Sequence, residues 1–282
     1  MELFNHLQKL GREFVLTLEQ LRPYMDTPRG PKEPPADLDR KLKKLLYSDK
    51  WPASIDKARA CGADSDYDKM ERAHAILDQC VDRLASGLRV LDFGCGQGHV
   101  AYAASLEGAS IAVGYDPERQ GWPQFPATGN LVLTQDKNIL DDYAPFDVII
   151  IHDVLDHAEL PLEILLEAKE LLSRHGRIYV RCHPSSSPHG DHNYSKLDRA
   201  YSHLLLPENS RRGVIRPLEE YQELFKQVGL LIVHERPVRA PVPQFFRLPV
   251  LATMLRDIYN GDDDYEKHLE IETVDYTLSK DL

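Results

Sequence analysis

The stretch from Arg89 to Gly108 combines an acid, three closely spaced glycines and the start of a helical pattern. It reads RVLDFGCGQGHVAYAASLEG, and Gly94, Gly96 and Gly98 alternate with other residues. Glycine permits a tight turn and a close approach of the backbone to a ligand, and a helix N-terminus favours negative charge. A strand, a glycine turn and a helix in this order are typical of nucleotide-binding sites. The sequence therefore predicts such a site here.

The acid Asp92, two residues before the first glycine, separates two classes of cofactor. Dinucleotides place a pyrophosphate over a loop with G-x-G-x-x-G spacing, whereas this loop, GCGQG, has G-x-G-x-G spacing. A carboxylate repels a pyrophosphate. S-adenosylmethionine carries an ammonium and a sulfonium instead, so a carboxylate there stabilises the bound cofactor. The sequence therefore predicts S-adenosylmethionine and disfavours NAD.

Two further acids follow the next two predicted strands. Asp116 lies in GYDP, 24 residues after Asp92, where a carboxylate accepts hydrogen bonds from both ribose hydroxyls. Asp136 lies in QDKNIL, where an acid can accept a hydrogen bond from an adenine amino group. The alternatives are a turn-forming Asp-Pro pair at Asp116 and a solvated loop acid at Asp136.

Histidines and acids follow the fourth predicted strand, in FDVIIIHDVLDHA. With S-adenosylmethionine as the predicted cofactor, transfer of its methyl group to a hydroxyl or to a protonated nitrogen would be helped by a base, and histidine suits neutral pH. We predict His152 or His157 as this base, with Asp153 or Asp156 as its orienting partner. The alternative is that His157 only caps or orients the helix that follows it.

A second group of histidines follows the fifth predicted strand, in HPSSSPHGDHNY. We expect this loop to close over the acceptor and to contact it through His183, His189, His192 and Tyr194. The alternatives are an ordinary polar loop and a metal site that includes Asp191. The spacing of these side chains matches no standard zinc pattern, so no metal site is predicted.

The surrounding elements alternate between short Val/Ile-rich strands and helical patterns, which predicts an α/β fold with a doubly wound, mostly parallel seven-stranded sheet. The predicted helices are 98–107, 160–174, 194–206, 217–228 and 248–259. The predicted strands are 88–92, 110–115, 131–134, 146–151, 177–182, 230–235 and 269–278. The last of these strands alternates more than the others and is expected to be antiparallel.

Residues 1–86 are predicted to form a helical N-terminal extension, with helices at 2–25, 38–48 and 67–85 and a proline-rich linker at 26–37. Residues 87–282 then form the cofactor-binding domain, with an insertion at 241–266 before the last strand. Apolar positions in 1–25 and 241–260 are candidates for a contact between copies of the chain. Helix 38–48 carries a basic face formed by Arg40, Lys41, Lys43 and Lys44.

The composition of the 282-residue chain limits its class. The net charge of −11 disfavours DNA binding driven by long-range attraction to phosphates. No apolar run reaches the roughly 18 residues that a membrane helix needs. The four cysteines have neither metal nor disulfide spacing, which predicts a reducing, cytoplasmic location.

These motifs resemble those of the class I S-adenosylmethionine-dependent methyltransferases, over roughly residues 85–240 and the last strand. VLDFGCGQGH matches their first motif, and GYDP, QDKNIL and FDVIIIHDVLDHA are similar to the next three. Two longer stretches are similar to poorly characterised methyltransferases of phages and environmental bacteria. The resemblance implies a Rossmann-like fold, with a methionine-side loop, a ribose acid and an adenine edge. The implied cofactor-binding residues are Asp92, Gly94, Cys95, Gly96, Gly98, Asp116, Pro117, Asp136, Lys137, Asn138 and His152.

We therefore predict an S-adenosylmethionine-dependent methyltransferase that acts on oxygen or nitrogen of a small-molecule or sugar-like acceptor. The fourth strand does not end in the Asn/Asp-Pro-Pro-aromatic motif of exocyclic base amine methylation, and a Pro-Cys nucleophile is missing. One alternative is methylation of nucleic acid or a nucleotide, with the basic N-terminal helix in contact. Another is a non-catalytic, methyltransferase-like subunit, against which the intact acids Asp92 and Asp116 argue.

Overall fold

The computed structural model describes most of the chain from residue 65 onward and a helix before it. The described residues are 9, 12, 13, 16, 17, 20, 35–46, 65–80, 86–118, 121–188, 201, 216–242 and 244–281. Most of the predicted helices 2–25 and 194–206 and of the linker 26–37 therefore lies outside them.

The described strands are β1 (Arg89–Phe93), β2 (Ile111–Tyr115), β3 (Leu131–Thr134), β4 (Phe146–His152), β5 (Leu172–Cys182), β6 (Leu231–Arg239) and β7 (Ile271–Ser279). The longer helices are α1 (Ala36–Leu46), α2 (Asp66–Cys80), α3 (His99–Leu106), α5 (Pro161–Leu171), α6 (Leu218–Val228) and α7 (Pro249–Ile258). The short ones are α4 (Ile139–Tyr143), α8 (Glu266–Leu269) and a 3₁₀ turn (Gln244–Arg247).

The seven strands form one sheet in the order β3-β2-β1-β4-β5-β7-β6. The pairs from β3 to β5 are parallel, and β7 runs antiparallel to β5. The fold prediction is thus confirmed, including the late antiparallel strand. Because the order reverses between β1 and β4, the carboxyl ends of these two strands border the crevice in which such sheets bind ligands.

The predicted fifth strand was too short and the preceding helix too long. Helix α5 ends at Leu171, and Leu172 already has extended dihedral angles and is opposite Phe146 of β4. The register then shifts before Val148 pairs with Arg177. This irregularity lies over a polar stretch, SRHG, which has no strand pattern in the sequence.

The central strands are buried because helices cover both faces of the sheet. Ile149, Ile150 and Ile151 of β4 are completely buried. Helix α2 contributes apolar residues, among them Leu77, to a core cluster with Val90 and with alanines of α3. Leu77 is also completely buried, so α2 packs as part of the sheet's own core.

A buried ion pair network joins β5, β6 and β7. Asp275 of β7 accepts hydrogen bonds from Arg181 Nε at 2.6 Å and from Arg236 Nε at 3.1 Å. Burial alone would raise the pKa of Asp275, but the two guanidinium groups hold it below its ordinary value. The Asp275 carboxylate therefore stays charged and pairs with two arginines at once.

The contacts divide the chain into two compact units. One comprises 58–183, 215–237 and 273–282, and the other comprises 1–57, 184–214 and 238–272. The second unit has its own small core, in which Phe246 packs edge-on against Tyr201 with ring centroids 4.9 Å apart. Tyr265 donates a hydrogen bond to the Phe246 carbonyl in this core.

Candidate functional site

The loop between β1 and α3 has a backbone that requires glycine. Gly94, Gly96 and Gly98 all have positive φ, at 81°, 50° and 81°. A Cβ atom on Gly94 would lie 2.5 Å from Cγ2 of Val154, so the turn after β4 packs directly on this loop. A Cβ atom on Gly96 would meet nothing within 4 Å, so this backbone faces open space. The loop is therefore anchored at its first glycine and accessible to a ligand at its second.

Asp92 is the penultimate residue of β1, just before this loop, and is 3% exposed. Its Oδ2 atom has no hydrogen-bond partner among the described residues. Burial raises the pKa of Asp92 to about 7, although the nearby His152 opposes this shift. A buried carboxylate with an unpaired oxygen suits a cationic group, so the site fits the ammonium of S-adenosylmethionine.

Asp116 ties the glycine loop to the end of β2. Its Oδ2 atom accepts a hydrogen bond from the Gly96 N–H at 2.8 Å, and its Oδ1 atom accepts one from the Glu118 N–H at 3.1 Å. Pro117 lies in the turn between them. The predicted ribose acid and the predicted methionine-side loop are thus in direct contact, as a single nucleoside ligand requires.

The predicted adenine residues form an exposed turn after β3. Asp136 Oδ1 accepts hydrogen bonds from both the backbone and the side-chain nitrogen of Asn138. Lys137 Nζ lies 2.7 Å from a carboxylate oxygen of Glu167, and this hydrogen bond raises the pKa of Lys137. Lys137 is therefore directed toward α5, whereas Asp136 and Asn138 remain together at the turn.

Two aromatic residues near the glycine loop were missed in the sequence. Trp122 lies against Gly98, 3.2 Å from the position of a Cβ atom there, and its Nε1 atom is buried without a partner among the described residues. Phe125 stacks on Tyr102 of α3, with ring centroids 4.4 Å apart. The available signal was a pair of aromatic residues in a proline-rich segment directly after the ribose acid.

The environment of Cys95, inside the glycine loop, does not favour a nucleophilic thiolate. Burial raises the pKa of its thiol, and the neighbouring Asp92 raises it further. The thiol is therefore neutral at physiological pH, which agrees with a small packing residue. Cys80, Cys95 and Cys182 are all free thiols.

His152 and Asp153 form a pair at the end of β4. His152 Nδ1 lies 3.2 Å from Asp153 Oδ2, and His152 Nε2 is buried with no hydrogen-bond partner among the described residues. Asp153 has a φ of 55°, an unusual value for a residue with a side chain. Burial would raise the pKa of Asp153, but the imidazoles of His152 and His183 hold it well below its ordinary value. The carboxylate is thus charged and orients His152.

His183 joins this pair from the end of β5. Its Nε2 atom lies 3.4 Å from Asp153 Oδ1, and the side chain is buried. His157 is different, because 42% of its side chain is exposed and its Nε2 atom lies 4.0 Å from Asp156. Among the two bases proposed from the sequence, His152 therefore has the closer carboxylate and His157 has the more open position.

Asp156 is completely buried, and neither of its carboxylate oxygens has a hydrogen-bond partner among the described residues. Burial and the charge of Asp153 both raise its pKa. Arg216, just before α6, donates hydrogen bonds to the carbonyls of Leu155 and Ala158 and so fixes the turn that carries Asp156. Sequence reasoning missed Arg216, since nothing in the sequence connects it with a turn 58 residues earlier.

Three of the predicted acceptor-side residues, His189, His192 and Tyr194, lie outside the described residues, as does Asp191. Within the described parts of the chain, no helix is long and apolar enough to cross a membrane.

Comparison with known proteins identifies the family. Residues 66–235, more than half of the chain, match the model of a family described as "Methyltransferase domain". The tRNA U34 carboxymethyltransferase of Serratia proteamaculans is 28% identical over 183 residues, which are 62% of this chain and 55% of the relative. Its counterpart in Sodalis glossinidius is 33% identical over 103 residues, which are 34% of this chain and 32% of the relative. This chain thus spans about half or less of these curated relatives.

Similar solved structures include magnesium protoporphyrin IX methyltransferase from Synechocystis with bound SAH. It is 15% identical to this chain, with a TM-score of 0.49, and the match covers 86% of this chain and 94% of that protein's chain. The family model and the sheet order carry the assignment together. The chain belongs to the family described as "Methyltransferase domain".

Proposed function

We propose that the chain methylates an oxygen or nitrogen atom of a small-molecule or sugar-like acceptor, with His152 as the general base and Asp153 as its orienting partner. The observation that carries this proposal is the pair His152–Asp153 beside Asp92. The imidazole is held on one side by a charged carboxylate, and its other nitrogen is without a partner among the described residues.

The cofactor would be held by the acids at the ends of β1 and β2. Asp92 would accept hydrogen bonds from the methionine ammonium, and Asp116 would accept them from the ribose hydroxyls. Asp136 and Asn138 would border the adenine. When bound, S-adenosylmethionine supplies an electrophilic methyl group on a sulfonium, and the protein's remaining task is to align an acceptor and remove its proton.

His152 is arranged for that proton transfer. With Nδ1–H directed to Asp153 Oδ2, the Nε2 atom has a free lone pair and can accept the proton of an acceptor O–H or N–H. The imidazolium that results is stabilised by the Asp153 carboxylate, which stays charged. The proton then leaves to solvent after the methylated product departs.

Binding assays and variants of two histidines test this assignment. We expect S-adenosylmethionine to bind in the micromolar range and NAD not to bind. With methyl-labelled cofactor and a panel of hydroxylated and amino acceptors, His152→Ala should lower turnover by about 10²–10⁴-fold and leave the cofactor affinity within about twofold. The matched His157→Ala variant should retain most of the turnover.

Two results would contradict the proposal. If His152→Ala weakens the cofactor more than tenfold, His152 is a cofactor contact. If His157→Ala is the inactive variant instead, the base is the exposed histidine.

A transfer RNA acceptor is the second candidate. It is supported by the curated relatives that act on tRNA and by the exposed basic side chains Arg40, Lys41 and Lys44 of α1. Contacts between basic residues and phosphates weaken steeply with salt. If tRNA is the acceptor, replacing these three residues with alanine should reduce tRNA binding and flatten its salt dependence. The binding of an acceptor of low molecular weight would change neither with the three substitutions nor with the salt concentration.

A further inference from the structure

We propose that Asp153, Asp156 and His183 bind a divalent transition-metal cation on the acceptor side of the site. This proposal goes beyond methyl transfer and departs from the sequence-based expectation that no metal is bound. That expectation considered only the spacing of side chains within 183–192. The three residues proposed here come from two different strand ends.

The topology of the sheet brings these residues together. β4 and β5 are parallel neighbours, and His152 is opposite Arg181, so the residues that follow both strands leave the sheet side by side. Each of the three side chains offers one ligand atom, and these atoms all lie within 4.8 Å of one another. His183 Nε2 and Asp153 Oδ1 are 3.4 Å apart. Two ligands at about 2.0–2.2 Å from one tetrahedral ion are about 3.4 Å apart, so this pair needs no rearrangement.

The burial of carboxyl oxygens that lack hydrogen-bond partners among the described residues is the second and independent observation. Asp156 is completely buried, and both of its oxygens are without a hydrogen-bond partner among the described residues. Asp153 Oδ1 is also buried, has no hydrogen-bond partner among the described residues, and lies 3.4 Å from His183 Nε2, the third ligand atom. Unpaired buried carboxylate oxygens are costly, and a cation between the two acids would satisfy all three atoms.

The types of ligand indicate the class of ion. Two carboxylate oxygens and one imidazole nitrogen suit Mn²⁺, Fe²⁺, Co²⁺ or Zn²⁺, whereas Mg²⁺ and Ca²⁺ prefer oxygen ligands alone. Three protein ligands also leave coordination positions open for an oxygen of the acceptor or for water. Asp153 would serve both functions, with Oδ2 toward His152 and Oδ1 toward the ion.

Cation binding to the full-length, chelator-treated chain tests the site without cofactor or acceptor, and so does not depend on the role of His152. We expect one Mn²⁺ per chain by electron paramagnetic resonance, with nitrogen coupling from an imidazole in the pulsed spectrum. Zn²⁺ should compete for the same site. Asp156→Asn and His183→Gln should each weaken Mn²⁺ binding at least tenfold. The exposed control variants Asp142→Asn and His175→Gln should leave it unchanged.

Several results would overturn the proposal. They are the failure of Mn²⁺ and Zn²⁺ to bind, binding that survives both variants, and a Mn²⁺ spectrum without nitrogen coupling. The last measurement uses the unaltered chain and so decides the question even if a variant fails to fold. If Asp156→Asn stabilises the chelated chain and leaves cation affinity unchanged, the carboxyl group holds a proton instead of a metal. In every case, cofactor binding is measured separately and reports on the methyltransferase site.

Discussion

The cofactor loop (residues 92–98 with Asp116) and the acceptor-side cluster (His152, Asp153, Asp156 and His183) are neighbours with different construction. In the loop, both oxygens of Asp116 accept backbone hydrogen bonds, and the glycines fix the path of the chain. In the cluster, Asp156 is buried with neither oxygen paired among the described residues. One region is defined by backbone geometry, and the other by side chains that converge from separate strands.

This difference indicates which part of the site is preorganised before a ligand binds. A backbone that is already hydrogen-bonded is preorganised, and its ligand is determined by shape. A buried carboxylate such as that of Asp156, which has no hydrogen-bond partner among the described residues, can be completed by what binds there. The following predictions test that contrast, starting with the largest expected effect.

Gly94→Ala should be severely destabilising, because it combines strain at positive φ with a clash against Val154. Left-handed backbone costs about 1–2 kcal/mol and overpacking about 1–3 kcal/mol, so the free energy of unfolding should fall by about 2–5 kcal/mol. Urea denaturation measures this loss. Gly87→Ala is a matched control, since Gly87 has a φ of 78° with nothing within 4 Å of a Cβ atom. Equal losses in both variants would mean that the contact with the turn after β4 is unimportant.

Asp92→Asn should stabilise the free chain and weaken the cofactor. The pKa of Asp92 is about 7 in the folded chain, and an unfolded aspartate has a pKa of about 3.9. The folded state therefore binds the proton of Asp92 more tightly than the unfolded state does. The stability that this proton contributes is lost as the pH rises from about 4 to about 7. At pH 8 the free energy of unfolding of the variant should exceed that of the wild type by about 2–4 kcal/mol. At pH 5 this difference should be smaller.

The same pKa predicts the pH dependence of binding. The ammonium of the cofactor pairs with the ionised carboxylate. The affinity of the wild type for the cofactor should therefore weaken as the pH decreases below about 7. Calorimetry at pH 6 and pH 8 measures this change, which should be missing in Asp92→Asn. A wild-type affinity that does not vary with pH would separate Asp92 from the cofactor.

Asp116→Ala should weaken cofactor binding by about 1–3 kcal/mol, or about 5- to 150-fold, because ribose hydroxyls lose their acceptor. The fold should persist, since its two local hydrogen bonds come from exposed or loop backbone N–H groups. Calorimetry and an unfolding curve distinguish the two effects. An unchanged dissociation constant would make Asp116 only a turn residue.

Asp136→Asn should have the smallest effect, less than about 0.5 kcal/mol on cofactor affinity. The side chain is exposed, and an amide oxygen can still accept the hydrogen bonds from Asn138. A loss comparable to that of Asp116→Ala would show that the adenine edge is as demanding as the ribose site.

The cofactor loop could be predicted almost completely from the sequence. Its residues are close together in the chain. The positive φ of Gly94 and Gly96 favours glycine, as predicted, and the role of Asp92 toward a cationic group stays a prediction. The alternation of strands and helices and the late antiparallel strand were also predicted from local patterns. These features could be predicted because they depend on residues that are close together in the chain.

The acceptor-side cluster could be predicted only in part. His152 and His183 were named, but their contact through Asp153 depends on the pairing of β4 with β5, which spacing along the chain does not reveal. The complete burial of Asp156 and the support from Arg216 depend on tertiary packing. The length of β5 was missed because residues 173–176 near its start, SRHG, are polar and lie across a register shift.

The position of β7 between β5 and β6 has a consequence for synthesis on the ribosome. Of the seven strands, β7 is made last, yet it is central to its part of the sheet. Until it emerges, β5 has an open edge, β6 has no neighbour in the sheet, and Arg181 and Arg236 lack the carboxylate of Asp275. Unpaired strand edges pair readily with other chains, so this part of the sheet is open to aggregation until β7 is made. This part of the sheet can therefore close only after residues 271–279 have been made, long after the residues of the cofactor loop.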